Sequence, residues 1–278
     1  MRLALLTALT MIAFAGNSIL NRQALAGAHV DPASFALIRL ASGTAMLALL
    51  LALRGGLAPM RRRADPAMVG GLTVYMIGFS FAYLSLDAGA GALILFGVVQ
   101  VTMFAGALLA REPVSGARWI GAAVAFCGLL LLLWPGAQAP LSLAGAALMI
   151  PAAVGWGLYS LRGRGASDPL GDTARNFLWS TPFALLPLVF TGPLAVDGAG
   201  FALAVASGAV TSALGYALWY ALLPGLGATR AAVSQLTVPV IAALGGVLLL
   251  GEPLTLRFLL SAALVLGGVL LSLRPSPR

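Results

Sequence analysis

The sequence GAGALILFGVVQVTMFAGALLA, residues 89–110, is a run of 22 residues without a charged side chain. An α-helix needs about 20 mostly apolar residues to cross the hydrocarbon core of a bilayer. A membrane β-strand would be shorter and would alternate apolar and polar residues, which this run does not do. The run therefore predicts a transmembrane helix.

The whole chain shares this apolar character. Its 278 residues are 60% hydrophobic and only 9% charged, and the mean hydropathy is +1.01. A soluble domain carries roughly 25% charged residues. Because so few charges cannot cover a water-facing surface, the composition excludes an ordinary soluble protein.

Ten predominantly apolar stretches of about this length occur along the chain, separated by short links that carry prolines, glycines or charges. Spanning segments of this length must be helices, since open sheets would leave backbone groups unpaired in lipid. The first stretch resembles a signal peptide, but it is long for one and has an internal copy, so we interpret it as a retained helix. The ten predicted helices cover about 3–24, 34–53, 67–86, 89–110, 116–134, 141–161, 173–191, 199–222, 229–250 and 255–273.

All 16 basic residues are arginines, and they favour one side of the predicted membrane. If the N-terminus is cytoplasmic, all but three of them fall on the cytoplasmic side; the three outside are Arg22, Arg39 and Arg257. Basic residues are enriched in cytoplasmic links, so the distribution predicts that both termini are cytoplasmic. Apart from Arg61 to Arg63 the arginines are scattered, which favours membrane topology over nucleic-acid binding.

The two halves of the chain resemble each other at a shift of 140 residues. Arg22 matches Arg162, and Glu112-Pro113 matches Glu252-Pro253. The chain is thus expected to hold two five-helix repeats, at 1–138 and 139–278. Because five is odd, the second repeat must enter the membrane from the opposite side, as in transporters built from inverted repeats. The expected fold is an all-α integral membrane protein of ten helices, with a substrate site between the halves.

Several of these residues resemble a known family. Gly16, Trp156-Gly157, Leu-Thr-Val-Pro239-Val and Leu-Gly-Glu252-Pro253 are similar to the EamA-type drug/metabolite transporters. Within that family the chain is most similar to bacterial inner-membrane exporters of amino acids, including aromatic ones. The fourth helix departs from the pattern, because Val99 and Gln100 stand where Pro239 stands in the second half. Arg111 also replaces the usual glycine before Glu112.

Polar side chains inside the predicted helices are few, and they are candidates for a substrate site. No carboxylate lies well inside a helix, so a proton relay of buried acids is not expected. Arg39 and Arg230 lie near helix ends, where they either bind a substrate carboxylate or serve topology and snorkelling. The deeper uncharged groups either line a cavity or join helices; we place Asn17, Gln100, Ser160 and Gln235 at the substrate site.

Aromatic residues form a second set of candidates. Tyr75, Phe79 and Tyr83 recur every fourth residue and so share one face of the third helix. These rings either pack in the core, belong to the interfacial belt, or line a cavity that binds apolar and aromatic substrates. Prolines 151 and 239 are expected inside helices, as hinges or static bends. The remaining predicted cavity residues are Trp156, Tyr159 and Tyr216.

The function expected from these observations is export of small metabolites by alternating access, with neutral and aromatic amino acids favoured by the resemblance and the rings. Other neutral or cationic metabolites or drugs remain an alternative, as does a non-transporting membrane assembly protein. With one histidine, His29, and one cysteine, Cys127, neither a metal site nor an enzymatic nucleophile–base pair is expected, and no cofactor. The oligomeric state stays open.

Overall fold

The computed structural model describes residues 2–111, 115–134, 141–163, 166–191 and 195–273. Within these ranges the chain is helical, apart from links and one isolated bridge between Val30 and Val196. The helices are α1 (Arg2–Ala26), α2 (Pro32–Arg54), α3 (Pro66–Ala82), α4 (Ala88–Leu109), α5 (Gly116–Leu133), α6 (Leu143–Gly163), α7 (Pro169–Ser180), α8 (Leu188–Thr191), α9 (Gly198–Val205), α10 (Gly215–Gln235), α11 (Thr237–Leu250) and α12 (Leu256–Ser272).

Seven helical segments of the described chain are long and apolar enough to cross a membrane. They are α1, α2, α4, α5, α6 and the segments Gly198–Leu223 and Val233–Leu250; α3 and α12 are apolar but shorter. The prediction of a multi-pass helical membrane protein is thus confirmed. Large apolar side chains are exposed along these helices, as expected where lipid replaces water, and examples are Leu53, Leu109 and Leu248.

Aspartates in the links begin several helices. Asp31 accepts hydrogen bonds from the backbone N–H groups of Ala33 and Ser34, at 2.9 Å each, and so caps α2. Asp65, Asp168 and Asp197 cap α3, α7 and α9 in the same way. A capping side chain satisfies N–H groups that a helix leaves unpaired in its first turn. These four aspartates therefore mark where α2, α3, α7 and α9 start.

Three predicted helices differ in the structure. The predicted helix 173–191 is broken: α7 ends at Ser180, a 3-10 turn follows at Pro182–Leu185, and α8 has four residues. Proline lacks the backbone N–H that an α-helix interior requires, which explains breaks at Pro182 and Pro187. The predicted helices 199–222 and 229–250 are divided at a different place. The predicted link at Pro224-Gly225 was wrong, because α10 continues through it to Gln235, and the break comes at Leu236.

Pro239 lies within α11, in its first turn, directly after the turn at Leu236 that separates α11 from α10. A first-turn proline fits without distortion because its missing N–H has no helical partner there. Pro151, in contrast, lies inside α6, as predicted.

The links meet at two opposite ends of the bundle. At one end the backbone of Asp31 and His29 bonds to Ala195 and Asp197, and Arg22 reaches the link 83–87. At the other end Arg54 lies 3.4 Å from Asp168, and Arg162 lies 3.0 Å from Asp65. We call these the 31-end and the 54-end, after the two ends of α2. The arginine-rich link 54–63 lies at the 54-end.

Glycines let pairs of helices approach closely. A Cβ atom on Gly71 of α3 would lie 2.8 Å from the carbonyl oxygen of Gly155 on α6, and one on Gly155 would lie 2.6 Å from that of Gly71. Gly121 of α5 and Gly268 of α12 form a similar crossing. Small residues at crossings are how membrane helices pack in the absence of a hydrophobic driving force.

Candidate functional site

A small cavity lies at the centre of the bundle, between the two halves of the chain. Its walls are largely aromatic. The first half contributes α1, α3 and α4, and the second contributes α6 and α10. The lining residues are Phe14, Asn17, Ser18, Tyr75, Phe79, Leu95, Phe96, Trp156 and Tyr216.

The aromatic rings of this cavity touch one another. The ring centroid of Tyr75 lies 5.3 Å from that of Phe79 and 5.0 Å from that of Trp156, and the Trp156 centroid lies 5.0 Å from that of Tyr216. The cavity holds about 20 Å³, which is space for a single water molecule. The structure therefore has the cavity in a closed conformation, and any larger ligand requires these rings to separate.

Asn17 joins α1 to a π-helical segment, Ala206–Leu214, that connects α9 and α10. Its side-chain oxygen accepts hydrogen bonds from the hydroxyl groups of Ser207 at 2.9 Å, Thr211 at 2.7 Å and Ser212 at 3.1 Å. The wider turn of a π-helix shifts side-chain directions, and such segments are frequent at functional sites. The segment thus brings three hydroxyl groups to one amide beside the cavity.

Arg39 lies behind the rings of Tyr75 and Phe79 and is completely buried. Its Cζ atom lies 4.9 Å from the centroid of the Phe79 ring. The Nε atom donates to the hydroxyl of Ser212, and the Nη2 atom donates to the hydroxyl of Tyr75, each at 3.1 Å. The Nη1 atom is buried and has no hydrogen-bond partner. Arg39 follows the start of α2 by seven residues, or about 10 Å along the axis, so it does not snorkel to the surface.

The other residues predicted at the site lie around or beyond the cavity. Tyr159 stacks on Trp156 from behind, with centroids 5.4 Å apart, and buried Tyr83 packs on Phe79 at 4.8 Å. Ser160 donates to the carbonyl of Trp156 at 2.7 Å, so its hydroxyl is engaged within its own helix. Gln100 and Gln235 are partly buried but do not line the cavity. The side chain of Arg230 lies outside the described residues.

Sequence reasoning missed several residues that the structure brings to the cavity. Phe14, Ser18, Leu95 and Phe96 line it, and Ser207 bonds to Asn17. Phe14 and Ser18 lie three residues before and one residue after Asn17 on α1, so helical spacing from Asn17 was a usable signal for Phe14. Leu95 and Phe96 carried no signal, because apolar residues fill every helix here.

A polar cluster closes the bundle at the 31-end. The carboxylate of Glu252 accepts the backbone N–H of Ala88 at 2.9 Å and lies 3.2 Å from the Nε atom of Arg22. Arg22 also lies 3.6 Å from Asp87 and donates to two carbonyl groups of the link after α3. We call Arg22, Asp87, Ala88 and Glu252 the Glu252 cluster. It ties α1, the start of α4 and the link after α11 together.

Burial raises the pKa of the Glu252 carboxyl above its ordinary value, and the nearby charge of Asp87 adds to this. The bonds from Ala88 and Arg22 act in the opposite direction and do not cancel the rise. A wider cavity of about 180 Å³ opens beside this cluster, with Asp87 and Glu252 among its lining residues. It lies at the end of the bundle and lacks the converging rings, so we take the central cavity as the candidate site.

In the described ranges no group of three histidine, cysteine or acidic residues comes together. His29 instead pairs with Asp197 at 2.8 Å, at the 31-end. Cys127 lies exposed on α5.

Comparison with known proteins agrees with this architecture. The model of the EamA-like transporter family matches residues 143–274. An uncharacterized protein of Pseudomonas aeruginosa is 52% identical over 99% of this chain and 95% of its own length. A probable amino-acid metabolite efflux pump of Salmonella typhimurium is 27% identical over 72% of this chain and 73% of its own length.

A solved crystal structure superposes with a TM-score of 0.67 at 22% identity, covering 95% of this chain and 96% of the other, and so shares the fold. These similarities agree with the apolar helices and with the cavity between the two halves of the chain. The chain belongs to the EamA-like transporter family.

Proposed function

We propose that the protein exports small metabolites, namely neutral and aromatic amino acids, from the cytoplasm across a bacterial inner membrane. The observation that carries the proposal is the central cavity, whose Tyr75, Phe79, Trp156 and Tyr216 rings come from both halves of the chain. Aromatic faces bind apolar and aromatic groups by stacking, and they also attract an ammonium group. A cavity walled by both halves opens to either side if the halves rock about it.

The proposed mechanism is alternating access between two inverted repeats, residues 1–138 and 139–278. Supporting this, helix contacts occur in pairs related by the 140-residue shift. α3 packs on α6, and its counterpart, the π-helical segment with the start of α10, packs on α1. Likewise α4 packs on α6, while α11 packs on α1. Paired contacts of this kind let each half adopt the conformation of the other.

The relatives support both the proposed repeat and the proposed export. The match to the family model spans residues 143–274, which is nearly one proposed repeat. The Salmonella relative is named a probable amino-acid metabolite efflux pump, so efflux of a related cargo is the simplest assignment.

The test is counterflow in proteoliposomes loaded with unlabelled L-phenylalanine and supplied with labelled L-phenylalanine, L-leucine or L-lysine outside. We expect uptake of the first two. Trp156→Ala should lower the rate about tenfold or more, because a stacked and buried ring is lost from the cavity wall. Trp179→Ala is the matched control, since Trp179 is 52% exposed on α7, and its rate should equal that of the wild type.

Two results would contradict the proposal. Uptake of a cationic drug such as ethidium without any amino-acid uptake would favour the drug exporter. Absence of flux for every compound, in protein that remains folded, would favour a non-transporting assembly role.

A further inference from the structure

The Arg39 guanidinium is a buried positive charge that nothing in the described part of the chain neutralises. The side chain has no solvent exposure, and no described carboxylate lies within 4 Å of it. Its two hydrogen-bond partners, Ser212 and Tyr75, are uncharged hydroxyl groups. Arginine remains a cation in proteins, and a buried charge without a counter-ion is strongly unfavourable.

The rings next to Arg39 compensate this charge only in part. Its Cζ atom lies 4.9 Å from the Phe79 centroid and 5.5 Å from the Tyr75 centroid, which are cation–π distances. Both rings line the central cavity. Arg39 is thus separated from the cavity by one layer of side chains, and separation of these rings would expose it to a bound ligand.

The free donors of Arg39 lie on one edge of the guanidinium. The Nε atom is occupied by Ser212, whereas Nη1 is unpartnered and Nη2 is held only by the neutral Tyr75 hydroxyl. The Nη1–Nη2 edge presents two parallel N–H groups, which is the geometry that binds a carboxylate through both of its oxygens. A carboxylate there would replace the Tyr75 hydroxyl and supply the missing negative charge.

We propose that Arg39 is the recognition site for a carboxylate on the ligand, so that the cavity takes small organic carboxylates whose remaining part is apolar or aromatic. One guanidinium with one unpartnered nitrogen matches a single negative charge. None of the described residues that line the cavity is basic, so among them a phosphate dianion would lack the further cations that it requires. This deepens the proposed function, on which it rests, and it explains why an amino acid would be held at its carboxylate end by Arg39 and at its side chain by the rings.

The test compares phenylacetate with phenylacetamide, which have the same shape but differ in charge, on purified full-length protein at fixed chloride concentration. Binding is measured by calorimetric titration and by the rise in melting temperature. The wild type should bind phenylacetate at least tenfold more tightly than phenylacetamide. Arg39→Gln should remove this preference, whereas Arg257→Gln should keep it, because Arg257 donates to the exposed carbonyl of Trp134 at the 31-end, away from the central cavity.

A merely structural Arg39 predicts a different stability result. If its role were to hold α2, α3 and the π-helical segment together, Arg39→Gln would lower the melting temperature without ligand. We expect an unchanged or higher melting temperature, because the substitution removes a buried, unneutralised charge. Arg39→Lys keeps the positive charge but cannot donate two parallel hydrogen bonds, so this variant should still prefer phenylacetate but bind it more weakly. Arg39→Lys also provides the test if Arg39→Gln does not fold.

Equal wild-type affinity for the acid and the amide, or equal stabilisation by chloride alone, would overturn the carboxylate site. So would a preference that survives in Arg39→Gln. Undiminished L-phenylalanine counterflow in Arg39→Gln would contradict this site while leaving the exporter proposal intact. Selective phenylacetate binding without flux of any amino acid would support the site and contradict the exporter proposal.

Discussion

Asn17 and Asn21 lie one turn apart on α1 and are both buried, yet they differ in hydrogen bonding. The Asn17 oxygen accepts three hydroxyl groups, whereas neither side-chain polar atom of Asn21 has a partner. Asn17→Leu should destabilise the protein by roughly 1–3 kcal/mol, because it leaves buried hydroxyls without an acceptor. Asn21→Leu, of similar volume, should be neutral or stabilising by about 1 kcal/mol. Thermal unfolding of the two variants in detergent measures the difference.

The opposite order would contradict the hydrogen-bond assignment. Destabilisation by Asn21→Leu would mean that Asn21 has a bonding partner, and a neutral Asn17→Leu would mean that the three hydroxyls bond elsewhere.

At the level of single residues, the sequence shows which types of side chain are available better than it shows where each side chain lies in the folded chain. The spacing of Tyr75 and Phe79 correctly put two rings on one face, and both line the cavity. For Arg39 the sequence allows both carboxylate binding and snorkelling, because the depth of its side chain depends on where α2 begins and its surroundings depend on α3 and the π-helical segment. Neither Tyr75 nor Ser212 is near Arg39 in sequence, so only the folded chain shows that no described carboxylate lies beside Arg39.

The crossing of α3 and α6 gives a test at the level of helices. A Cβ on Gly71 would lie 2.8 Å from the carbonyl of Gly155, whereas a Cβ on the neighbouring Gly70 would meet no atom within 4 Å. Gly71→Ala should destabilise by about 1–3 kcal/mol through overpacking. Gly70→Ala should be neutral or stabilising by up to about 1 kcal/mol, because alanine favours helix. Melting temperatures of the pair test this, and equal values would mean that the two helices are further apart.

The Glu252 cluster gives a second test at this level. Glu252→Ala removes the acceptor that joins Ala88 to Arg22, so the 31-end should open more often. Its pKa is raised in this closed arrangement, so proton binding favours closure over an open form in which the carboxyl faces water with its ordinary pKa. Closure should therefore strengthen as pH falls through that raised pKa, and Glu252→Gln, whose amide oxygen still accepts from Ala88, should remain closed.

The measurement is maleimide labelling of a cysteine at Ser18 in the cavity, in a Cys127→Ala background. Labelling should be faster with Glu252→Ala than with Glu252→Gln or the unchanged cluster, and slower in acid. Faster labelling with Glu252→Gln or at low pH would show that the charge of Glu252, rather than its hydrogen bond, holds this end closed.

The predicted helix boundaries were accurate where a capping residue marks them. They were inaccurate at several prolines, because a proline can either break a helix or lie inside one. Asp31 and Asp65 begin α2 and α3 within two residues of the predicted starts. Proline has two outcomes: Pro182 and Pro187 lie at breaks, whereas Pro151 lies inside an intact helix. Packing against neighbouring helices decides between these outcomes, and the sequence of one segment does not contain that information.

The orientation of the whole molecule in the membrane decides which way the closed cavity faces. The 54-end carries Arg54 and Arg61 to Arg63, and basic residues favour the cytoplasmic side; the Glu252 cluster at the 31-end is then external. We expect a cysteine replacing Gly198, whose Cβ would meet no atom within 4 Å, to react with an impermeant maleimide added outside spheroplasts. A cysteine replacing Arg63 should react only after lysis.

Both variants need the Cys127→Ala background, since Cys127 is exposed. The reverse labelling pattern would place the Glu252 cluster in the cytoplasm, and labelling of both sites in intact spheroplasts would contradict two ends separated by lipid. With the expected pattern, the 54-end faces the cytoplasm, and an exporter must collect its cargo through that end. The Arg54–Asp168 and Arg162–Asp65 pairs would then have to separate before the cargo reaches the cavity.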